Sequence, residues 1–174
     1  MEQLIMYWKN NGQKAERPIP PADCEIITFD RLPHAVDHWL DIMQYGLSDG
    51  LQDERFYRDC MKPYPAYRED HTFFLVEKGN PVASITLICD DKTKDAYVHM
   101  VACKPECRGK GYGGLLNQIA LWVFTKEGME TAHLTTDDWR IPAIKSYLRA
   151  GFYPDRSTED FQRRWDDILK ITDR

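Results

Sequence analysis

The sequence of 174 residues lacks the features that mark membrane, nucleic-acid-binding or secreted proteins. Its longest apolar runs, at 81–89 and 115–124, are far shorter than the roughly 20 residues that span a bilayer, so we expect no membrane partner. Lysine and arginine number 23 against 28 acidic residues, and this surplus of negative charge argues against a nucleic-acid partner. The N-terminus has no basic start followed by an apolar segment and a cleavage site, so we expect a cytoplasmic protein.

Paired cysteines and metal-ligand motifs are also missing. The five cysteines are odd in number and follow neither a disulfide framework nor a CxxC spacing, so we expect reduced thiols. His34 and His38 lie four residues apart on a predicted helix, but no third ligand accompanies them and an HExxH motif is absent. We therefore expect no metal site.

Composition and periodicity predict one mixed α/β domain over residues 1–174. Hydrophobic residues make up 43% of the chain, which suits a single sizeable core. A proline-rich connector ends an N-terminal extension, residues 1–23. The patterns predict strands at 24–29, 71–77, 82–89, 95–103 and 130–136, and helices at 32–47, 53–61, 112–126, 140–150 and within the C-terminal segment 157–174.

The stretch "CRGKGYGG", residues 107–114, is the strongest candidate for a binding site. A P-loop is excluded, because Lys110 is followed by Gly111 rather than by Ser or Thr. The dinucleotide fingerprint GxGxxG fits by letter, but five residues separate it from its strand and too few residues follow. A third pattern, R-x-x-G-x-G, places glycines and two cations at a helix N-terminus, where backbone N–H groups can hold a pyrophosphate. A plain tight turn remains the alternative.

The chain here resembles the GCN5-related N-acetyltransferase family. Residues 101–114, "VACKPECRGKGYGG", are similar to the family's fourth strand, pyrophosphate loop and third helix. Residues 143–152, "AIKSYLRAGF", match a second family segment, A-x-x-x-Y-x-x-x-G-F, in the right order. The resemblance implies a mixed, mostly antiparallel central sheet that is flanked by helices and splays between the family's fourth and fifth strands.

The resemblance also implies acetyl-coenzyme A (acetyl-CoA) as co-substrate and assigns the residues that would bind it. The pantetheine arm would pair with the backbone of Val101, Ala102 and Cys103, with the Val101 amide at the thioester carbonyl. The diphosphate would lie on the following loop and helix start, at Arg108, Gly109, Lys110, Gly111, Tyr112, Gly113 and Gly114. Arg140 stands where the family often has an Asn that contacts the cofactor. The sequence departs from the family pattern at this one contact.

Two residues are the candidates for proton transfer. Tyr147 occupies the position of the family's tyrosine and would protonate the leaving thiolate. His99, on the same strand as Val101, is the candidate base because histidine titrates near neutral pH; a structural histidine is the alternative. Asp95 and Glu77 are weaker candidates for the base.

The sequence thus predicts an enzyme that moves an acetyl group from acetyl-CoA to a primary amine of a small molecule or peptide, by direct attack in a ternary complex. The alternative is a non-catalytic acyl-CoA binding or sensor domain, because a fold does not guarantee chemistry. The aromatic and acidic segment 45–70 lies where the family builds its acceptor wall. The sequence does not name the acceptor, and a homodimer is one oligomeric state that it allows.

Overall fold

The structure, a computed structural model, describes residues 2–172. Its strands are β1 (Leu4–Lys9), β2 (Cys24–Thr28), β3 (Thr72–Glu77), β4 (Asn80–Asp90), β5 (Asp95–Cys103), β6 (Thr131–Thr136) and β7 (Tyr153–Pro154). Its α-helices are α1 (Ala35–Met43), α2 (Glu54–Met61), α3 (Tyr112–Lys126), α4 (Ile141–Arg149) and α5 (Glu159–Thr172). All ten predicted elements are confirmed, with the end of the C-terminal segment, 173–174, outside the described residues. Within the described range no helix is long and apolar enough to cross a bilayer.

The strands form one sheet in the order β2-β3-β4-β5-β6-β1-β7. Every neighbouring pair is antiparallel except β5 and β6, which run parallel. This topology confirms the mixed, mostly antiparallel sheet and differs from the parallel sheet that a dinucleotide fold requires. The connection from β5 to β6 passes through α3, as a parallel pair needs a crossover.

The N-terminal segment contributes a strand that the sequence analysis did not predict. Strand β1 lies between β6 and β7 and pairs with both, so part of the expected extension belongs to the sheet. Alternate residues Leu4, Met6 and Trp8 are buried in the main core. The sequence LIMYWK hides this alternation, because apolar residues occupy both faces of the strand.

Helices cover the two sides of the sheet unequally. Helices α3, α4 and α5 supply one side of the main core, in which Phe124 and Trp165 are fully buried. Helices α1 and α2 pack on the other side, where Trp39 and Phe74 belong to a second buried cluster. That second cluster includes no residue of β6, β1 or β7, so on this side these strands lie outside it.

Candidate functional site

The parallel strands β5 and β6 separate partway along their length. Their pairing runs from Asp95 opposite Thr131 to Val98 opposite Leu134 and ends there. Beyond this point β5 bulges against β4, since Thr86 pairs with His99 and Ser84 with Ala102. The splay that the family resemblance implies is therefore present, and a bulge in β5 accompanies it.

The bulge shapes the backbone on the open side of β5. Met100 has a φ of 53°, in the left-handed region that few non-glycine residues adopt. Val101, Ala102 and Cys103 follow, are partly exposed and have no β6 partner. An unpaired strand edge beside an open cleft can accept an extended ligand as a further strand. The structure thus brings these three predicted residues to one lip of the splay.

The glycine-rich stretch forms the turn into α3. Gly109 and Gly111 have φ values of 79° and 83°, which L side chains rarely adopt. Gly111 is the N-cap of α3, and the amide of Leu115 makes the first helical bond back to it at 3.1 Å. The amides of Tyr112, Gly113 and Gly114 therefore precede the first intrahelical bond and are donors at the positive end of the helix dipole.

The space in front of these glycines is open. A Cβ atom built on Gly109, Gly111 or Gly114 meets nothing within 4 Å, whereas one on Gly113 meets the Ser146 hydroxyl at 3.6 Å. Three glycines thus leave room at the helix N-terminus, whereas a side chain at Gly113 would make an ordinary contact with α4. The residues present fit a diphosphate, because a bulky anion can reach the amides directly.

Glu77 anchors this loop to the sheet. Its carboxylate accepts hydrogen bonds from Lys110 Nζ at 2.9 and 3.0 Å and from the Tyr112 hydroxyl at 2.5 Å. These bonds, that of Tyr112 first, hold the pKa of Glu77 below its ordinary value. The same carboxylate raises the pKa of Tyr112 well above that of a free phenol. Glu77, one of the weaker candidates for the base, is therefore an ion-pair partner of the loop.

Two arginines join the lips of the splay to the loop between α1 and α2. Arg108, which follows β5, donates a hydrogen bond to the Tyr45 carbonyl at 2.9 Å. Arg140, which follows β6, donates to the Gly46 carbonyl at 2.6 Å and to Asp137 at 2.9 Å. The loop therefore lies across the separated strands. Arg140 takes the place of the family's Asn but contacts protein backbone here.

Tyr147 lies on α4, the helix that follows β6, and belongs to the main core. Its side chain is 9% exposed and packs edge-on against Phe152, with ring centroids 6.1 Å apart. Burial raises its pKa to about 12, although the nearby charge of Arg140 acts in the opposite direction. The phenol is therefore protonated throughout the neutral pH range and can donate but not accept a proton there.

His99 lies on β5, directly after Val98, where the pairing with β6 ends. Its Nε2 lies 3.2 Å from the Cys60 carbonyl, which can only accept, so this nitrogen carries the proton and Nδ1 holds the lone pair. Burial lowers the pKa of the ring, more than the bond to Cys60 raises it. Tyr64 and Tyr97 flank the imidazole at ring centroid distances of 4.8 and 5.2 Å. His99 is therefore a neutral imidazole at pH 7.

The structure adds a histidine that the sequence analysis did not single out. His133, on β6, places Nδ1 2.8 Å from Asp95 Oδ2, while Thr131 donates to the other carboxylate oxygen at 2.6 Å. Asp95, the other weaker base candidate, is thus engaged by two donors. Asp95, Tyr97 and His99 alternate along β5, and this pattern indicates one polar face of the strand. It did not identify His133 on β6 as the partner of Asp95.

The described residues contain no cluster of metal-ligating side chains, either at the splay or away from it. Across residues 2–172 there is no group of three or more His, Cys, Asp or Glu side chains placed to hold a metal ion.

A mixed sheet that splays beside a glycine-lined helix N-terminus is the architecture of the acetyltransferase class that the sequence resembles. The acetyltransferase (GNAT) family matches residues 35–152, and the chain belongs to this family. Mycothiol acetyltransferase from Streptomyces bingchenggensis (strain BCW-1) is 32% identical over 83 residues, 46% of this chain. The aligned part is only 26% of that relative's length.

Solved structures share the fold. A GCN5-related N-acetyltransferase from Sphaerobacter thermophilus superposes with a TM-score of 0.70 at 17% identity, over 87% of this chain and 48% of the other. The NatC complex bound to Gag peptide and CoA gives a TM-score of 0.62 at 19% identity, over 75% and 85%. The chain therefore spans about half of the first structure's length and about a quarter of the curated relative's.

Proposed function

We propose that this protein transfers an acetyl group from acetyl-CoA to a primary amine of a small molecule or peptide, by direct attack in a ternary complex. The observation that carries the proposal is the splay of β5 from β6 directly beside the glycine-lined start of α3. This arrangement offers an unpaired strand edge to a pantetheine arm and free amides to a diphosphate. Holding donor and acceptor together in one cleft would itself supply much of the rate enhancement.

The donor would be bound mainly by backbone groups. The edge of Val101–Cys103 would pair with the pantetheine amides, with the Val101 amide at the thioester carbonyl. The amides of 109–114 would hold the diphosphate, with Arg108 adding positive charge and Lys110 adding its own by exchanging its ion pair with Glu77 for the diphosphate. The NatC complex, a solved structure that shares the fold, is bound to CoA, which supports this choice of donor.

Proton transfer would involve His99 and Tyr147. As the amine nitrogen bonds to the thioester carbon, His99 Nδ1 would accept the proton that the nitrogen loses. When the C–S bond breaks, the Tyr147 hydroxyl would donate to the departing sulfur. The products are an amide and free CoA thiol, and solvent returns a proton from His99 to Tyr147. Burial lowers the pKa of His99, which keeps a lone pair free to accept a proton, and raises the pKa of Tyr147, which keeps its proton available to donate. This difference supports the division of roles.

The test is the release of CoA thiol from acetyl-CoA with a panel of amines that includes alkylamines, diamines, amino sugars and N-terminal peptides. We expect thiol release with at least one class and none without an amine. A protein that binds acetyl-CoA tightly but releases no thiol with any amine would refute the catalytic proposal. That result would favour the sensor alternative. The binding of acetyl-CoA is measured on the same protein by calorimetry.

A further inference from the structure

The side of the sheet that carries α1 and α2 has an uncovered half over β6, β1 and β7. Four aromatic side chains occupy the same level on four adjacent strands, the three of this half and the neighbouring β5. Tyr97 pairs with His133, His133 with Tyr7, and Tyr7 with Tyr153 in the strand register. Side chains at paired positions point to the same face of a sheet. We call these four residues the aromatic row: Tyr97, His133, Tyr7 and Tyr153.

The aromatic row runs from the candidate active site to the edge of the sheet. At its inner end the Tyr97 and His133 rings are stacked, with centroids 4.8 Å apart and planes 13° apart. At its outer end the Tyr7 and Tyr153 rings lie 6.2 Å apart and are 37% and 50% exposed. The inner end also reaches His99, whose ring lies 5.2 Å from that of Tyr97. The row is therefore continuous with the proposed site of acetyl transfer.

Negative charge accompanies these rings. Asp95 binds the Nδ1 of His133, so the other ring nitrogen is turned away from the carboxylate. Burial raises the pKa of Tyr7, and the charge of Asp155, the neighbouring Tyr153 and the charge of Asp95 raise it further. Lys9, two residues along β1, contributes one exposed positive charge on the same face. Aromatic faces and carboxylates together attract a cation, and this combination selects a positively charged occupant.

We propose that the aromatic row binds the body of the acceptor, and that this acceptor carries a second cationic group beyond its reacting amine. The inference rests on the proposed acetyl transfer and names the substrate class for it. Strands lie about 4.8 Å apart, so a group over Tyr7 is roughly 10 Å from an amine held at the splay. The fitting acceptor is therefore an elongated diamine or polyamine, or a peptide with a basic side chain near its terminus.

The test compares two acceptors of equal length, diaminooctane and aminooctanol, which differ in the charge of the distal group; kcat/KM is expressed per reacting amine, because the diamine has two. We expect kcat/KM, measured by thiol release, to be at least about fivefold higher for the diamine, as one or two cation–π contacts supply. The substitutions Tyr7→Ala and Tyr153→Ala should reduce this ratio to near one without changing the Kd of acetyl-CoA. Lys9→Ala, on the same strand, is the matched control and should not lower the ratio.

Three outcomes separate this inference from the proposed function. Equal kcat/KM values for the two acceptors would overturn the inference while leaving acetyl transfer intact. A Tyr7→Ala variant that loses a dimer in sedimentation and keeps its preference for the diamine would also overturn it, because a second copy of the chain would then cover the row. If no amine releases thiol, the proposed function fails; saturable shifts of the tyrosine ring resonances by diaminooctane, lost in Tyr7→Ala, would still support cation binding by the row.

Discussion

Replacing Tyr147 with Phe tests the proposed general acid directly. Burial holds the pKa of this phenol at about 12, while a free thiol titrates near ~8.5. A complete proton transfer from phenol to thiolate would then be uphill by roughly 5 kcal/mol, at about 1.4 kcal/mol for each pKa unit. Tyr147 is therefore expected first to stabilise the developing negative charge on the sulfur through a hydrogen bond, and to release its proton only as solvent returns the proton that His99 took from the amine.

The expected size of the effect follows from that bond. A hydrogen bond to a charged group contributes about 1.5–3 kcal/mol, so Tyr147→Phe should lower kcat by about 10- to 150-fold. The ring still packs on Phe152, so the unfolding midpoint and the Kd of acetyl-CoA should change little. Stopped-flow thiol release under saturating donor and acceptor gives kcat, and calorimetry gives the Kd.

The pH dependence provides a second readout of the same residue. A phenol with a pKa near 12 stays protonated below pH ~10, so the wild-type rate should show no alkaline loss from Tyr147 in that range. The reasoning is refuted if Tyr147→Phe keeps kcat within about twofold of the wild type, because solvent would then protonate the thiolate. A large rise in the Kd of acetyl-CoA would also refute it, since the tyrosine would then be a binding group.

Four further substitutions test other parts of the structure. Met6→Ala should lower the free energy of unfolding by about 2–5 kcal/mol in urea denaturation, and a loss below about 1 kcal/mol would show that β1 is peripheral. Gly111→Val should abolish acetyl-CoA binding in calorimetry at a stability cost of about 1–3 kcal/mol, because valine is strained at a φ of 83°; retained binding would contradict the proposed cradle. His99→Ala should lower kcat by about 10²- to 10⁴-fold, and an unchanged rate would leave a water relay as the base. Arg140→Ala should speed amide hydrogen exchange at Gly46 and the residues after it, and unchanged exchange would show that the loop is held by other contacts.

The lowered pKa of His99 also sets the direction of two pH effects. Because burial favours the neutral ring, the acidic limb of kcat/KM that reports this base should lie below the ordinary histidine value of about 6.5. Between the lowered pKa of the folded chain and about 6.5, the unfolded chain binds more protons at His99 than the folded chain does. This contribution to stability is therefore fully present above pH ~6.5 and is lost as the pH falls from there through the folded pKa. His99→Ala should remove this component from the pH dependence of the unfolding free energy, and an unchanged dependence would assign it to other groups.

Much of the fold could be predicted because its patterns are local. Helix α3, the adjacent strands β3 and β4 and the glycine turn each depend on residues close together in the chain, where periodicity and turn chemistry determine the backbone. Strands β1 and β7 were missed for opposite reasons. β1 is apolar on both faces, so it shows no alternation, and β7 is two residues long and exists only because β1 pairs with it.

The side-chain contacts of the site were not predictable in the same way. The arginine contacts to Tyr45 and Gly46 join residues that are 63 and 94 positions apart, and Asp95 meets His133 across 38 positions. No local pattern encodes such pairs, because they depend on the strand order and on where β5 and β6 part. Arg140 could be recognised as a departure from the family pattern, but its backbone partner could not.

The donor part and the acceptor part of the proposed site need different groups from the chain, backbone amides for the donor and side chains for the acceptor. Experiments can therefore test the two parts separately. A diphosphate is bound by successive amides of one turn, so its requirement appears as closely spaced glycines such as Gly109 and Gly111. An elongated cationic acceptor needs side chains from four strands that are adjacent only in the sheet, and each of these residues is unremarkable in the sequence. Changes to Tyr7 or Tyr153 should therefore raise the acceptor KM and leave the Kd of acetyl-CoA unchanged, whereas Gly111→Val should weaken the donor alone. Variants of the aromatic row that weakened both ligands equally would mean that the row supports the fold of the cleft rather than the acceptor.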